Sequence, residues 1–164
     1  MVEIGGETLL ARAVRTANEA GLQPVLVVIS KEAVLSAGTL MACKVLLNEA
    51  ASEGMASSIR LGVTAAQAAE VDGVVVMACD QPAVTASHLS LLIADGVEVT
   101  ASAYAERRGV PAYFPAKVFG ELMKLRGDVG ARELFKTARC VELKDGELDV
   151  DTLEELERAR QLFG

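Results

Sequence analysis

A run of apolar residues that ends in a carboxylate constrains the fold of this chain more than any other segment. Val74-Val75-Val76-Met77-Ala78-Cys79 leads directly to Asp80-Gln81-Pro82, in which the proline fixes the following turn. Such a run predicts a buried strand, and ligands of open α/β sheets bind beyond the carboxyl ends of the strands. A carboxylate there can hold Mg²⁺ against a nucleotide phosphate, although a lone Asp-Gln-Pro is also typical of a turn cap.

The composition excludes several classes of function. The net charge of the 164 residues is −7, which disfavours general affinity for nucleic acid or anionic lipid because both need a basic face. Aromatic residues make up only 4%, so a base-stacking platform is not expected. No apolar run approaches the roughly 18 residues of a membrane span, and Glu3 and Glu7 stand where a signal peptide would be basic. We therefore expect one cytoplasmic domain over residues 1–164, with no nucleic acid or membrane partner.

The cysteines and the histidine do not form a recognisable site. Cys43, Cys79 and Cys140 lie far apart, and the single histidine, His88, cannot complete a zinc site with them. We expect Cys79 and Cys140 to be small core residues and His88 to be a surface or partly packed residue of a helix. Cysteine or serine–histidine catalysis is not expected.

Strands alternate with helices along the chain, which predicts a mostly parallel sheet covered on both faces. The predicted helices are 8–20, 31–41, 55–69, 85–94, 116–125, 131–137 and 152–163. The predicted strands are 25–29, 44–47, 73–79, 97–105, 111–114, 139–143 and 147–150. Arg107-Arg108-Gly109 is predicted to be a solvated hairpin tip, and Lys144-Asp145-Gly146 a second hairpin turn.

Acidic residues follow two of the predicted strands. Asp80 ends one of them, and Asp149 and Asp151 stand at the end of the strand before the closing helix. Two carboxylates from separate strand ends make a hard oxygen site suited to Mg²⁺. Asp151 also stands where the N-cap of the closing helix belongs, and Thr152 to Glu155 has the pattern of a capping box. Capping and metal binding both stay open for Asp151.

Two glycine turns lead into predicted helices. Glu53-Gly54-Met55-Ala56-Ser57-Ser58 begins a helix whose free N–H groups can receive a base edge, a ribose or a phosphate. Gly127-Asp128-Val129-Gly130-Ala131-Arg132 is similar, and Arg132 can fork onto a phosphate. Each motif alone is equally typical of an ordinary helix start or an exposed loop.

In combination these segments resemble one family, the nucleotidyltransferases of the molybdenum-cofactor type, and most closely the molybdenum cofactor cytidylyltransferases. The matching segments follow the family order across nearly the whole chain. They are Gly5-Gly6-Glu7-Thr8-Leu9-Leu10 with Arg12-Ala13-Val14, Asn48 with Glu53-Gly54-Met55-Ala56-Ser57-Ser58, Cys79-Asp80-Gln81-Pro82, Gly109-Val110-Pro111, Gly127-Asp128-x-Gly130-Ala131-Arg132, and Asp149-x-Asp151-Thr152.

The resemblance implies a Rossmann-like, three-layer α/β/α fold that moves CMP or GMP from CTP or GTP onto the phosphate of molybdopterin or molybdenum cofactor, releasing pyrophosphate. It implies Mg²⁺ as cofactor, Asp80 as catalytic residue and principal metal ligand, and Asp149 or Asp151 as the second ligand. The implied protein partner is a molybdenum hydroxylase. The implied nucleotide- or substrate-binding residues are Asn48, Gly54, Ser57, Ser58, Gln81, Pro82, Asp128 and Arg132.

One departure from the family bears on activity. The family opens with a strand and a signature loop, Leu-Ala-Ala-Gly-x-Ser-x-Arg-Met-Gly-x-x-Lys, that holds the triphosphate, and the match here begins after that loop. We therefore expect a sheet without its usual first strand, with unpaired backbone groups that cost about 1–3 kcal/mol each. The alternatives to an active transferase are a non-catalytic pterin-binding or accessory relative, and an unrelated α/β domain with chance similarity.

Overall fold

Helices cover both faces of an interrupted sheet, which confirms the expected three-layer α/β/α arrangement. The structure, a computed structural model, describes residues 2–34, 41–128 and 131–164. Its strands are β1 (Glu3–Ile4), β2 (Glu7–Thr8), β3 (Leu26–Ser30), β4 (Lys44–Asn48), β5 (Gly73–Val76), β6 (Thr100–Tyr104), β7 (Arg107–Pro115) and β8 (Arg139–Glu142). Its α-helices are α1 (Leu9–Glu19), α2 (Lys31–Val34), α3 (Met55–Ala68), α4 (Ala86–Ile93), α5 (Phe119–Leu122) and α6 (Leu153–Phe163).

Local capping signals place the helix starts correctly. The hydroxyl of Thr8 accepts a hydrogen bond from the N–H of Ala11 at 3.1 Å, so α1 begins where the sequence predicted. Thr85 does the same for α4, where the N–H of His88 donates at 3.2 Å. The predicted extension of α2 to residue 41 crosses residues 35–40, which lie outside the described residues. No helix in the described ranges is both long and apolar enough to cross a membrane.

The larger sheet is mixed rather than mostly parallel. In this sheet, of order β5-β7-β6-β8, β6 and β8 pair in parallel, but β7 runs antiparallel to both β5 and β6. β3 and β4 form a separate parallel pair. The prediction of a turn over residues 107–109 is wrong, because these residues form the first part of β7. The chain instead reverses at Ala105 and Glu106, which both have positive φ, as a tight hairpin between twisted strands requires.

The sheet is divided between β3 and β5. Within the described residues β3 pairs only with β4, and β5 pairs only with β7, so each strand has one edge without a ladder partner. Helix α3 lies across both parts: Gly62 approaches Val28 of β3, and Val63 and Ala66 pack in one cluster with Val74 of β5. This division matches the unpaired backbone expected of a sheet without its usual first strand.

Several predicted strands are shorter than the sequence suggested. β5 ends at Val76, so Cys79 lies in the loop that follows it and is exposed rather than in the core. Cys140 is also exposed, because it lies on the edge strand β8 and faces outward. Residues 147–150 form no strand: the turn over residues 144–147 ends at Glu147, and residues 148–150 are irregular, with the N–H groups of Leu148 and Asp149 bonded to carbonyls three and two residues earlier.

His88 is buried, although a surface or partly packed position was expected. It is 5% exposed, and its Nε2 lies 2.8 Å from the hydroxyl of Ser102. The Ser102 hydroxyl donates to the carbonyl of Pro111 at 2.6 Å, so it accepts from Nε2–H of a neutral imidazole. Burial lowers the pKa of His88, because the charged ring would lose its solvation. This contact ties α4 to β6 and β7.

The stability of the fold should therefore fall in mild acid. Below the ordinary histidine pKa near 6.5 the unfolded chain binds a proton that the folded chain resists, so stability is lost as the pH falls from 7 to about 5.5. Urea denaturation across this range measures the slope, and His88→Gln should flatten it while keeping a donor to Ser102. An unchanged slope in the variant would show that other groups set the acid sensitivity.

Candidate functional site

The two segments that carry the three aspartates predicted to bind metal meet beyond the carboxyl end of β5. The N–H of Val150 donates to the carbonyl of Asp80 at 2.9 Å, which places Asp149 and Asp151 on either side of this bond. Asp80 follows β5 by four residues instead of ending it, so the segment after the strand, rather than the strand itself, carries the carboxylate. We call Asp80, Asp149 and Asp151 the carboxylate cluster.

The electrostatics of the carboxylate cluster fit a site for a cation. Burial, reinforced by the charge of Asp151, raises the pKa of Asp80, and its Oδ1 is buried without a hydrogen-bond partner in the described residues. Burial and the nearby charge of Asp80 also raise the pKa of Asp149, while Arg107 partly offsets them. Clustered carboxylates that disfavour ionisation without a counter-charge are typical of functional sites.

The cluster cannot enclose a metal alone. Among the described residues no three His, Cys, Asp or Glu side chains converge closely enough to form a metal site. Mg²⁺ usually takes one or two carboxylates and completes its shell with water and substrate phosphates. A metal bound at the carboxylate cluster would therefore need further ligands from water or from a bound substrate.

Asp151 does not cap the closing helix. Thr152 is the N-cap of α6, and its hydroxyl accepts from the N–H of Glu155 at 3.2 Å. The Glu155 carboxylate in turn accepts from the N–H of Thr152 at 2.9 Å, which confirms the predicted capping box. The carboxylate of Asp151 is therefore left out of the cap, and only its backbone N–H bonds to Glu155, at 3.1 Å.

Gln81 and Pro82 are buried beside the carboxylate cluster. The amide Nε2 of Gln81 donates to the hydroxyl of Tyr104 and to the carbonyl of Gly146, both at 3.2 Å. These bonds join the Asp80 segment to the β6–β7 hairpin and to the loop that carries Asp149. A substrate-binding role for Gln81 and Pro82 stays a prediction, whereas their packing shows that they fix the position of the cluster.

A second group of predicted residues lies at the end of β4. The buried amide of Asn48 donates to the hydroxyls of Ser57 and Ser58 at 2.8 and 2.9 Å. The Ser57 hydroxyl donates onward to the carbonyl of Gly54 at 2.8 Å. Ser58 accepts from Asn48 and so keeps its own hydrogen to donate to a ligand. In the described residues no hydrogen bond joins this group to the carboxylate cluster.

The start of α3 is already covered by the second glycine loop. The N–H of Met55 donates to the Asp128 carboxylate at 3.1 Å, and the N–H of Ala56 donates to the carbonyl of Gly127 at 2.9 Å. The expectation of free N–H groups at this helix start is therefore wrong for the structure described, because the loop satisfies them. Arg132 is exposed on a short 3₁₀ helix (Arg132–Phe135), and Val129 and Gly130 lie outside the described residues.

Tyr104 and Arg107 belong to the site although the sequence did not indicate them. They pair across the β6–β7 hairpin, with the Arg107 guanidinium 5.2 Å from the centre of the Tyr104 ring and Nη2 3.9 Å from Oδ2 of Asp149. The hydroxyl of Tyr104 donates to the carbonyl of Val110 at 3.0 Å. Their link to Asp149 spans some forty residues of sequence, and no local motif could have shown it.

Comparison with known proteins identifies the family of this chain. The model of the MobA-like NTP transferase domain matches residues 1–144. The chain belongs to this family. PucB of Bacillus subtilis strain 168, a purine catabolism protein, is 36% identical over 119 residues, which are 68% of this chain and 58% of PucB. The match with this chain thus covers less than two thirds of the length of PucB.

Solved structures share the fold of this family member. The crystal structure of Rv0371c from Mycobacterium tuberculosis H37Rv is 26% identical with a TM-score of 0.82, and the match covers 98% of this chain and 88% of that one. A complex of Rv0371c with manganese is 25% identical with a TM-score of 0.75, and covers 98% and 90% of the two chains.

Gly54 should tolerate no side chain. Its φ is +95°, and an added Cβ would lie 2.5 Å from Oδ1 of Asp128 and 2.7 Å from the carbonyl carbon of Gly127. We expect Gly54→Ala to lower the free energy of unfolding by about 1–3 kcal/mol, because the strained backbone and the clash both oppose the closed loop.

Gly62→Ala is the matched control in the same helix. An added Cβ there would meet Val28 at 3.6 Å, an ordinary contact, so this variant should be neutral or more stable by up to about 1 kcal/mol. Urea denaturation of both variants is the measurement, and equal effects would contradict the special role of Gly54.

Proposed function

We propose that this chain carries the metal-binding part of the active site of a nucleotidyltransferase that moves CMP or GMP from CTP or GTP onto the phosphate of molybdopterin or molybdenum cofactor. One observation carries the proposal: the buried, unpartnered Oδ1 of Asp80 beside Asp149 and Asp151. An anionic oxygen buried without a donor is costly, and a divalent cation would satisfy it. Membership of the MobA-like family and the ordered motifs support the choice of a pterin phosphate as acceptor.

Asp80, with Asp149 or Asp151, would hold the metal, for which we propose Mg²⁺. Their hard oxygen atoms suit this ion, and the manganese complex of Rv0371c supports a divalent metal in this fold. When bound, the metal would polarise the phosphate that is attacked and neutralise charge on the leaving pyrophosphate. The burial of Asp80 adds to this effect, since charges interact more strongly where water is excluded.

The main role of the residues of this chain is to position the acceptor phosphate and the α-phosphate of the nucleotide. In transfer to a phosphate the acceptor oxygen is already anionic, so the step needs no strong general base. The oxygen attacks the α-phosphorus in line, a new P–O bond forms, and the bond to the pyrophosphate breaks. Gln81 and Tyr104 hold the carboxylate cluster in place, and Ser58 can donate its hydroxyl to a nucleotide or acceptor at the same edge of the sheet.

The occupied start of α3 favours the second candidate, a non-catalytic accessory protein that binds the pterin cofactor. Asp128 and Gly127 occupy N–H groups at this helix start that could otherwise bind a nucleotide. The two candidates differ in one requirement. The transferase needs further residues, beyond those described, that bind the triphosphate, whereas the accessory protein does not.

A strand and glycine-rich loop placed before Val2 should separate the two candidates. One lost donor to a developing anion typically costs a factor of 100 to 1,000, so the 164-residue chain should release no detectable pyrophosphate from CTP or GTP with molybdopterin. Adding a family-like strand and loop of about 20–25 residues should give release. Pyrophosphate is measured for both chains side by side. Folded but inactive extended protein would favour the accessory role, and activity of the short chain would refute the need for the loop.

Asp80→Asn in the active extended chain should abolish transfer without destabilising the fold. Because burial raises the pKa of Asp80, its ionised form opposes folding at pH 7, and the amide should leave stability equal or higher. This gain should shrink once the pH falls below the raised pKa of Asp80, and it should be gone below the ordinary aspartate pKa, where the unfolded chain is protonated as well.

The control is Asp72→Asn, which removes an exposed carboxylate just before the other end of β5. It should leave pyrophosphate release unchanged. Retained activity in Asp80→Asn would remove Asp80 from the mechanism, and a loss of stability would show that its carboxylate only holds the turn.

A further inference from the structure

Arg107 is loosely paired with the carboxylate cluster. Its Nη2 lies 3.9 Å from Oδ2 of Asp149, and the two side chains are 59% and 39% exposed. An exposed pair at this distance contributes little to stability, so the guanidinium can leave Asp149 at little cost. The same guanidinium lies over the ring of Tyr104, 5.2 Å from its centre, which would keep it near the cluster after it leaves.

Tyr104 is a fixed support for this arginine. Its hydroxyl donates to Val110 and accepts from Gln81, and two glycines allow the ring to pack closely. A Cβ on Gly109 would lie 2.5 Å from the tyrosine oxygen, and one on Gly146 would lie 2.9 Å from Cδ1 of the ring. The ring is therefore held between the hairpin and the loop that leads to Asp149.

Two other arginines, Arg108 and Arg139, have partners outside the carboxylate cluster. Arg108 donates to the carbonyls of Phe135 and Lys136 at 2.9 and 2.8 Å, on the other side of the hairpin. Arg139 pairs with Asp95. Among the described residues Arg107 is the arginine paired with an aspartate of the carboxylate cluster.

We propose that Arg107 exchanges partners during binding: it neutralises Asp149 while the cluster holds no metal, and it binds a phosphate group of the substrate once a divalent cation takes that carboxylate. The exchange rests on the proposed function of the cluster as a metal and phosphate site. A cation on Asp149 repels the guanidinium and competes for the same oxygen, whereas an arriving phosphate offers the planar fork two new acceptors. Arg107 is then a substrate-binding residue of the reaction, placed by Tyr104.

Two binding measurements on the 164-residue chain test the exchange. Free Mn²⁺ is followed by its electron paramagnetic resonance signal, and phosphate and pyrophosphate binding by calorimetry at saturating Mn²⁺. Arg107→Gln should bind Mn²⁺ about two- to fivefold more tightly, because the competing cation is gone. It should bind a phosphate ligand about tenfold or more weakly, because a charge-assisted fork is lost. A loss for pyrophosphate alone assigns Arg107 to the nucleotide, and a loss for both ligands to a general phosphate contact.

The controls separate this role from a change of net charge. Arg108→Gln removes the same charge from the next residue of the hairpin and should change neither affinity. Arg107→Lys keeps the charge, so Mn²⁺ affinity should stay near that of the unchanged chain while phosphate binding falls. Unchanged affinities in Arg107→Gln, or weaker Mn²⁺ binding, would overturn the proposal. If both affinities shift as expected but no extended chain transfers a nucleotide, the proposed function fails and the exchange stands.

Discussion

One backbone hydrogen bond, from the N–H of Val150 to the carbonyl of Asp80, joins the two parts of the carboxylate cluster. It holds because Leu148 and Val150 are buried with Ile4 and Leu156 in a cluster between the first hairpin and α6. Apolar and acidic residues alternate in this segment, so burying one set leaves the aspartates on the other side. The position of the candidate metal ligands thus depends on the packing of the closing helix as much as on β5.

Features set by neighbouring residues could be predicted from the sequence. The caps at Thr8 and Thr85 and the capping box of Thr152 to Glu155 were predicted correctly, because a hydroxyl and the N–H groups that follow it lie within one turn. The capping role that the sequence left open for Asp151 was wrong, because Thr152 is the N-cap. The alternation of strands and helices likewise gave the layered fold. The segment 147–150 was misread as a strand, since its alternating pattern reflects packing against α6 and not pairing with another strand.

Features set by distant residues could not be predicted in this way. The sequence predicts that Arg107 lies at a solvated hairpin tip, and only the folded hairpin shows that it lies beside Asp149. The burial of His88 likewise depends on a distant residue, Ser102 of β6. Each of the two glycine motifs was equally consistent with a ligand-binding loop and with an ordinary helix start or exposed loop. The two motifs bind each other through the Asp128 carboxylate and the N–H of Met55. This is a tertiary contact, and neither motif alone could predict it.

The open edges of β3 and β5 have a consequence for the behaviour of the protein in solution. Both strands are rich in β-branched residues, as in Val27-Val28-Ile29 and Val74-Val75-Val76, and in the described residues each exposes a row of backbone donors and acceptors on one side. Such edges are templates for pairing with strands of other molecules. We therefore expect the gap between β3 and β5 in the described residues to favour self-association at high concentration, and any segment that fills this gap to act against aggregation.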